Sequence, residues 1–146
     1  QTFSGCSNLS GSIPENLFVG ISGAPARYMF NSTFSGCGNL SGPIPENLFA
    51  GISGAPAGSM FVGTFSGCRG LTSIPQNLFG DISGTAQEGM FARMFYGCTS
   101  LTGPSAKING KYLYEIWSYV TASPVDECYF GDTGLDDYAS IPASWK

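Results

Sequence analysis

The stretch TFSGCGNLSGPIP, residues 33–45, returns with small changes along the chain and decides its architecture. Its opening TFSGC also stands at 2–6 and at 64–68, and a looser copy, MFYGC, stands at 94–98. The period is 31 residues for the first two intervals and 30 for the third. Self-similarity at such a period is typical of proteins built from stacked units. The sequence therefore predicts a repeat solenoid.

Each unit has the same order of apolar side chains. Leu9-Ser10-Gly11-Ser12-Ile13 alternates around a glycine, which predicts a short strand with the leucine and isoleucine pointing inward. Ser22-Gly23-Ala24-Pro25 predicts a turn, and Met29, Phe30 and Phe34 recur at helical spacing, so we expect them to face the core. One unit is thus expected to be a strand followed by a turn or short-helix return, and equivalent side chains should stack in ladders.

The units divide the chain into a solenoid over 1–106, with repeats at about 2–32, 33–63, 64–93 and 94–106, and a C-terminal part over 107–146. The C-terminal part is predicted to hold an insertion, a last degenerate repeat and a cap. Cys128 follows Cys98 by 30 residues, but its flanks align only if Asp132 takes the cysteine position and Cys128 that of Met94. We expect the cap to use the aromatic residues Tyr112, Tyr114, Trp117, Tyr119 and Trp145, with Trp117, Ile116 and Val120 on a short helix.

Composition excludes several classes of function. Charged residues are 11% of the chain, against about a quarter in ordinary globular proteins, and no basic run offers a nucleic-acid interface. Histidine is absent, which removes the commonest general base and the commonest metal ligand. No apolar stretch approaches the ~20 residues of a membrane span. We therefore predict no enzyme, no cofactor, no metal, no nucleic-acid partner and no membrane span in this segment.

A family resemblance adds to this interpretation. The run Phe34-Ser35-Gly36-Cys37-Gly38-Asn39-Leu40, followed by Ile44-Pro45, resembles the BspA-like leucine-rich repeats, and Met60-Phe61 and Met94-Phe95 are similar to the opening of related repeats. The likeness covers Thr2 to about Thr102 and, more loosely, Tyr129 to Pro142. It implies a leucine-rich-repeat-like fold with short parallel strands on one face. It also implies a secreted or surface-anchored protein of bacteria or protists that acts in adhesion.

The strands suggest where a partner would bind, since repeat proteins use their concave face for recognition. The outward-facing candidates are Ser10, Ser12, Ser41, Pro43, Thr72, Ser73 and Thr102. We expect an extracellular, non-enzymatic recognition module for a host or neighbouring-cell protein or glycan. A hydrated hydroxyl row without a ligand is the alternative for these residues. The alternative for the whole chain is a structural subunit that self-associates through its ends, head to tail, into a filament.

The cysteines at one position of successive repeats, Cys6, Cys37, Cys68 and Cys98, allow two interpretations. Neighbouring parallel strands lie about 4.8 Å apart, which a disulfide tolerates. Small buried apolar residues in a tight turn are favoured. A zinc site is not expected, because zinc ligands are normally paired two to four residues apart.

Polar candidates are weaker. Glu15 and Glu46 share one position, as the carboxylates of a glycoside hydrolase would, but Gln76 breaks the series and a solvated pair is favoured. Asp132, Asp136 and Asp137 lack the spacing of a calcium loop. Asn8, Asn31 and Asn39 match the N-glycosylation pattern, although an asparagine before the strand leucine more often closes a turn.

Overall fold

A computed structural model describes residues 1–116, 127–131 and 134–146. Its regular elements are short and are joined by turns. The strands are β1 (Ser41–Gly42), β2 (Ser53–Gly54), β3 (Gly70–Leu71), β4 (Asp81–Ile82), β5 (Lys107–Ile108) and β6 (Lys111–Tyr112). The helix α1 spans Leu113–Ile116, and two 3₁₀ turns span Tyr138–Ser140 and Ala143–Trp145.

The predicted strands form a first set of parallel pairs between successive repeats. Strand β1 pairs with β3, so that Gly42 lies opposite Leu71, and Gly11 lies opposite Leu40 in the same way. Each leucine therefore pairs with the glycine that lies two positions after the equivalent leucine of the preceding repeat. Side chains alternate between the faces of a strand with a period of two, so this offset keeps the leucines on the inner face. Further pairs, Ser73 with Thr102 and Gly103 with Leu135, carry the set to the C-terminal region.

A second set of parallel pairs occupies the segment for which the sequence predicted only a turn. Strand β2 pairs with β4, and Gly23 pairs with Ile52. The isoleucine of this segment is buried in the second and third repeats, at Ile52 and Ile82. The Ile-Ser-Gly residues of this segment thus contribute an extended edge with its own buried side chain.

The return segment, for which the sequence predicted a turn or a short helix, is a run of overlapping turns in each of the first three repeats. In the first repeat, the amides of Met29, Asn31 and Thr33 each donate to the carbonyl three residues earlier. The intervening amides donate instead to the next repeat, as Phe30 N does to Met60 O at 2.9 Å and Phe34 N to Thr64 O at 2.8 Å. A helix would direct every one of these amides along its own axis. The helical spacing of the apolar side chains was therefore misleading here.

Phenylalanine rings stack in two columns through the core. The first joins Phe3, Phe34, Phe65, Phe95 and Tyr129, with ring centroids 5.5, 5.6, 5.8 and 5.5 Å apart. The second joins Phe30, Phe61 and Phe91 at 5.6 and 5.8 Å. Both columns end at Trp145, whose ring centroid lies 6.5 Å from that of Tyr129 and 6.4 Å from that of Phe91. The Trp145 residue is only 2% exposed.

The predicted alignment of the last repeat is confirmed at Cys128. Phe95 N donates to Cys128 O, as Phe65 N donates to Met94 O one repeat earlier. Tyr129 N donates in turn to Trp145 O at 3.0 Å, so Trp145 accepts the bond that Cys128 accepts one repeat earlier. The expectations for Asp132, Trp117, Tyr119 and Val120 fall outside the described residues.

A polar network fastens this C-terminal region. Asp137 accepts hydrogen bonds from the amide and the hydroxyl of Ser105 and from the hydroxyl of Tyr114. Ser105 is fully buried. Strands β5 and β6, joined by Asn109-Gly110, lead into α1, which carries Tyr114. None of the helices in the described part of the chain has the length and hydropathy of a membrane-spanning segment.

Candidate recognition surface and open first repeat

The predicted binding residues form a surface row along the first set of strands. The structure leaves all but one of them exposed, and Ser73 is half-buried; the exposed members are Ser10, Ser12, Ser41, Pro43, Thr72 and Thr102. Backbone bonds hold successive members in order: Ser41 N donates to Gly11 O and Thr72 N to Gly42 O, both at 2.9 Å. We call these seven residues the hydroxyl row, since all of them except Pro43 carry a hydroxyl. Its position is set by the repeats beneath it.

The side chains of the hydroxyl row are small and uncharged, and all of them except Pro43 can form hydrogen bonds. One hydroxyl is already engaged, because Thr102 Oγ1 donates to Thr72 O at 3.1 Å. Within residues 1–116, 127–131 and 134–146, no side-chain hydrogen bond involves the hydroxyls of Ser10, Ser12 and Ser41. Such groups can donate to and accept from polar groups of a partner. The row supplies no charge with which to select an ion.

A parallel row of serines lies on the second set of strands and was not anticipated from the sequence. Ser22, Ser53 and Ser83 are exposed at equivalent positions of the first three repeats. Ser53 N donates to Gly23 O and Ser83 N to Gly54 O. The Ile-Ser-Gly triplet in each repeat was the available signal. These serines have the same side chain as the serines of the hydroxyl row but lie on the second set of strands.

The aligned cysteines are buried thiols after the first repeat. Cys37, Cys68 and Cys98 are inaccessible to solvent, and their Sγ atoms donate to the carbonyls of Phe3, Phe34 and Phe65 at 3.1, 3.1 and 3.0 Å. Burial raises the pKa of the Cys37 thiol and raises the pKa of Cys68 to about 12. Cys6 is exposed. Cys37, Cys68 and Cys98 thus have the buried positions that the buried-residue interpretation expects, whereas Cys6 does not.

The acidic candidates in the described part of the chain are either exposed or already hydrogen-bonded. Glu15 and Glu46 are both exposed, and Gln76, at the equivalent position, donates to Ser105 O at 3.0 Å. Asp136 is exposed, whereas Asp137 is engaged by Ser105 and Tyr114. Among the described residues, no three His, Cys, Asp or Glu side chains lie close enough together to hold a metal ion.

The three candidate glycosylation residues have different environments. Asn39 Nδ2 donates to Ser7 O at 2.7 Å, which links the second repeat to the first. Asn31 is half-buried, and Asn8 is exposed. The amide of Asn39 thus has a structural hydrogen bond between repeats rather than within its own turn.

The first repeat leaves its outer end uncovered. Leu9 is 38% exposed, whereas the equivalent Leu40 and Leu71 are 3% and 0% exposed. A cleft of about 320 Å³ opens at this end, and it is lined by Phe3, Leu9, Ser10, Ser12, Ile13, Pro14, Leu17, Phe34 and Leu40. The apolar core is therefore accessible from one end of the stack.

The chain matches no protein-family model, no curated protein and no solved structure. Its function must therefore be inferred from the arrangement of its own residues.

Proposed function

We propose that the chain is an extracellular or cell-surface recognition module without enzymatic activity, built as a leucine-rich-repeat-like solenoid, which binds a protein or a glycan through the hydroxyl row. The observation that carries this proposal is the row itself. It runs along consecutive repeats, is exposed at six of its seven residues, and lies on a backbone fixed by hydrogen bonds between repeats.

The solenoid class is supported by parallel pairs between residues that are 28 to 32 positions apart in the sequence. Residues about one repeat apart pair in parallel on two sets of strands, and a third set of backbone bonds joins the runs of turns. Equivalent phenylalanines stack between neighbouring repeats. This agrees with the resemblance to BspA-like repeats, and hence with a surface protein that acts in adhesion.

A protein or glycan partner is supported by the chemistry of the row. Its exposed hydroxyls can pair with sugar hydroxyls or with polar groups of a protein surface. A rigid backbone reduces the entropy lost on binding, because the hydroxyls are already positioned. The small side chains allow a partner to approach the backbone closely.

The test compares two arginine substitutions in the same repeat. Ser41→Arg lies in the hydroxyl row, and the matched control Ser53→Arg lies on the second set of strands with the same exposed residue type. Each protein is applied to a glycan array and to a panel of immobilised extracellular proteins. We expect the unmodified chain and Ser53→Arg to bind the same partner, and Ser41→Arg to lose roughly tenfold or more in affinity, since a central contact costs about 1.4 kcal/mol or more. Equal binding by both variants would rule out the hydroxyl row as the site.

A further inference from the structure

We propose that the open end of the first repeat is a docking surface for a further unit of the same thirty-residue repeat, stacked in parallel on it. The inference does not depend on the hydroxyl row or on its ligand. It rests on polar and apolar groups that the later repeats use between themselves and that the first repeat leaves unused.

The first observation concerns backbone donors. In the second repeat, Ser41 N donates to Gly11 O at 2.9 Å and Ser53 N donates to Gly23 O at 3.1 Å. The equivalent amides of the first repeat, at Ser10 and Ser22, donate to none of the residues that the structure describes. Two donors, one on each set of strands, thus point to where a preceding unit would place its carbonyls.

The second observation concerns acceptors on the third side of the repeat. Phe3 N donates to Thr33 O at 2.8 Å and Gly5 N donates to Ser35 O at 2.7 Å. The carbonyls of Thr2 and Ser4 occupy the same positions in the first repeat and accept no hydrogen bond from the described part of the chain. An edge with unpaired donors and acceptors is a template for another chain segment.

The side chains of the first repeat also lack contacts that the equivalent side chains of later repeats make. The thiol of Cys37 donates to Phe3 O, whereas Cys6 has no such neighbour and is exposed. Phe3 stacks on Phe34 on one side only. With Leu9 uncovered as well, the end presents the hydrogen-bonding and apolar groups that the second repeat presents to the first.

These groups specify which occupant fits. The opposite end of a second copy is covered, because Trp145 O accepts from Tyr129 N and its ring closes both phenylalanine columns. Two first repeats that meet about a two-fold axis would run in opposite directions and would not reproduce these partners on all three sides. A repeat unit with its C-terminal face uncovered supplies all of them. That unit is the occupant we propose.

The experiment adds such a unit to the full chain. A copy of residues 33–63 is placed directly before Thr2, which reproduces the natural junction of Gly63 with Thr64. Alkylation of each cysteine by iodoacetamide is followed by mass spectrometry, for the chain with and without the extra unit. We expect Cys6 to react roughly tenfold or more slowly in the extended chain, because docking would bury it as Cys37 is buried. The cysteine of the added unit should become the fast one.

A matched control carries the same extension with its Phe34, Leu40 and Ile44 equivalents changed to serine. We expect this extension to leave the alkylation rate of Cys6 unchanged. Leu9→Ala gives a second readout: it should lower the melting temperature by several degrees more in the extended chain than in the chain alone. The proposal is overturned if a protease digests the natural extension, the rest of the chain resists digestion, and Cys6 is still alkylated as fast as in the chain without the extension. It is equally overturned if the unextended chain forms dimers in sedimentation experiments that protect Cys6, since the occupant is then a second copy.

Discussion

The thiol of Cys68 donates a hydrogen bond to the carbonyl oxygen of Phe34, 3.1 Å away, across the boundary between the second and third repeats. Phe34 O also accepts from the amide of Cys37 in its own repeat. One carbonyl is therefore shared by a turn and by the neighbouring unit. The cysteine position thus contributes to cohesion between repeats without a disulfide.

The burial of the Cys68 thiol predicts that the folded chain loses stability at alkaline pH. The pKa of Cys68 is raised by burial from 9.0 to about 12 in the folded chain. When the pKa of a group is higher in the folded chain than in the unfolded chain, its contribution to the free energy of unfolding is complete below the unfolded-state pKa. That contribution is lost as the pH rises toward the folded-state pKa. We expect the urea midpoint to fall between about pH 9 and about pH 12, and to fall less in Cys68→Ala. If the urea midpoint falls equally in the unmodified chain and in Cys68→Ala, ionisation of Cys68 is not the cause of the loss.

Asp137 is predicted to hold the C-terminal region through its hydrogen bonds to Ser105 and Tyr114. Asp137→Asn places an amide donor against these donors, so we expect a loss of about 1–3 kcal/mol in the free energy of unfolding. The matched control is Asp136→Asn, at the exposed neighbouring carboxylate, which should change stability by less than about 0.5 kcal/mol. Urea unfolding followed by circular dichroism measures both. A control as destabilised as Asp137→Asn would show that the effect is general charge removal.

Trp145 is predicted to be the most costly single truncation in the C-terminal region, since it closes both phenylalanine columns. Trp145→Ala should destabilise the chain by about 3–5 kcal/mol. Trp145→Phe keeps a ring in place and should cost clearly less. Phe130→Ala, at a ring that is 47% exposed, serves as the surface control. Thermal unfolding of the three variants gives the order, and a small effect of Trp145→Ala would exclude it as the closing residue.

Gly51 is predicted to be intolerant of any side chain. A Cβ atom there would lie 2.1 Å from the carbonyl oxygen of Ile21 in the first repeat. Gly51→Ala should therefore separate two repeats locally and cost about 1–3 kcal/mol. Gly38→Ala is the control, because its Cβ would meet Gly67 O at an ordinary 3.7 Å. If the two alanine variants melt at the same temperature, the close approach at Gly51 is not a constraint on the fold.

The period and the buried positions could be predicted from the sequence, because chemical identity repeats where the environment repeats. Leu40, Leu71 and Leu101 are buried as expected, and so are Phe30 and Phe34. The local conformation between them could not be predicted. A spacing of three or four residues is compatible with a helix and also with turns that close every second residue. Only the neighbouring repeat, which captures the intervening amides, distinguishes the two.

The second set of strands and the hairpin were missed for different reasons. Ser53–Gly54 becomes a strand only because Asp81–Ile82 lies beside it, so a single repeat carries no strong signal. Asn109-Gly110 is a well-known hairpin dipeptide, and attention to it would have predicted β5 and β6. The candidate surface was located by the alternation around Gly11, but the sequence holds no indication of what it binds.

The alternating use of amides in the runs of turns also limits how the repeats can change in length. Losing one residue inside such a run would exchange the amides that bond locally with those that reach the neighbour. The aromatic and the cysteine that bracket the run are seven residues apart in Phe30–Cys37, Phe61–Cys68 and Phe91–Cys98. The residue missing from the third repeat is lost elsewhere, between Leu71 and Ile74. Insertions and deletions are therefore expected to be tolerated in the strand-to-proline link and selected against within the turns.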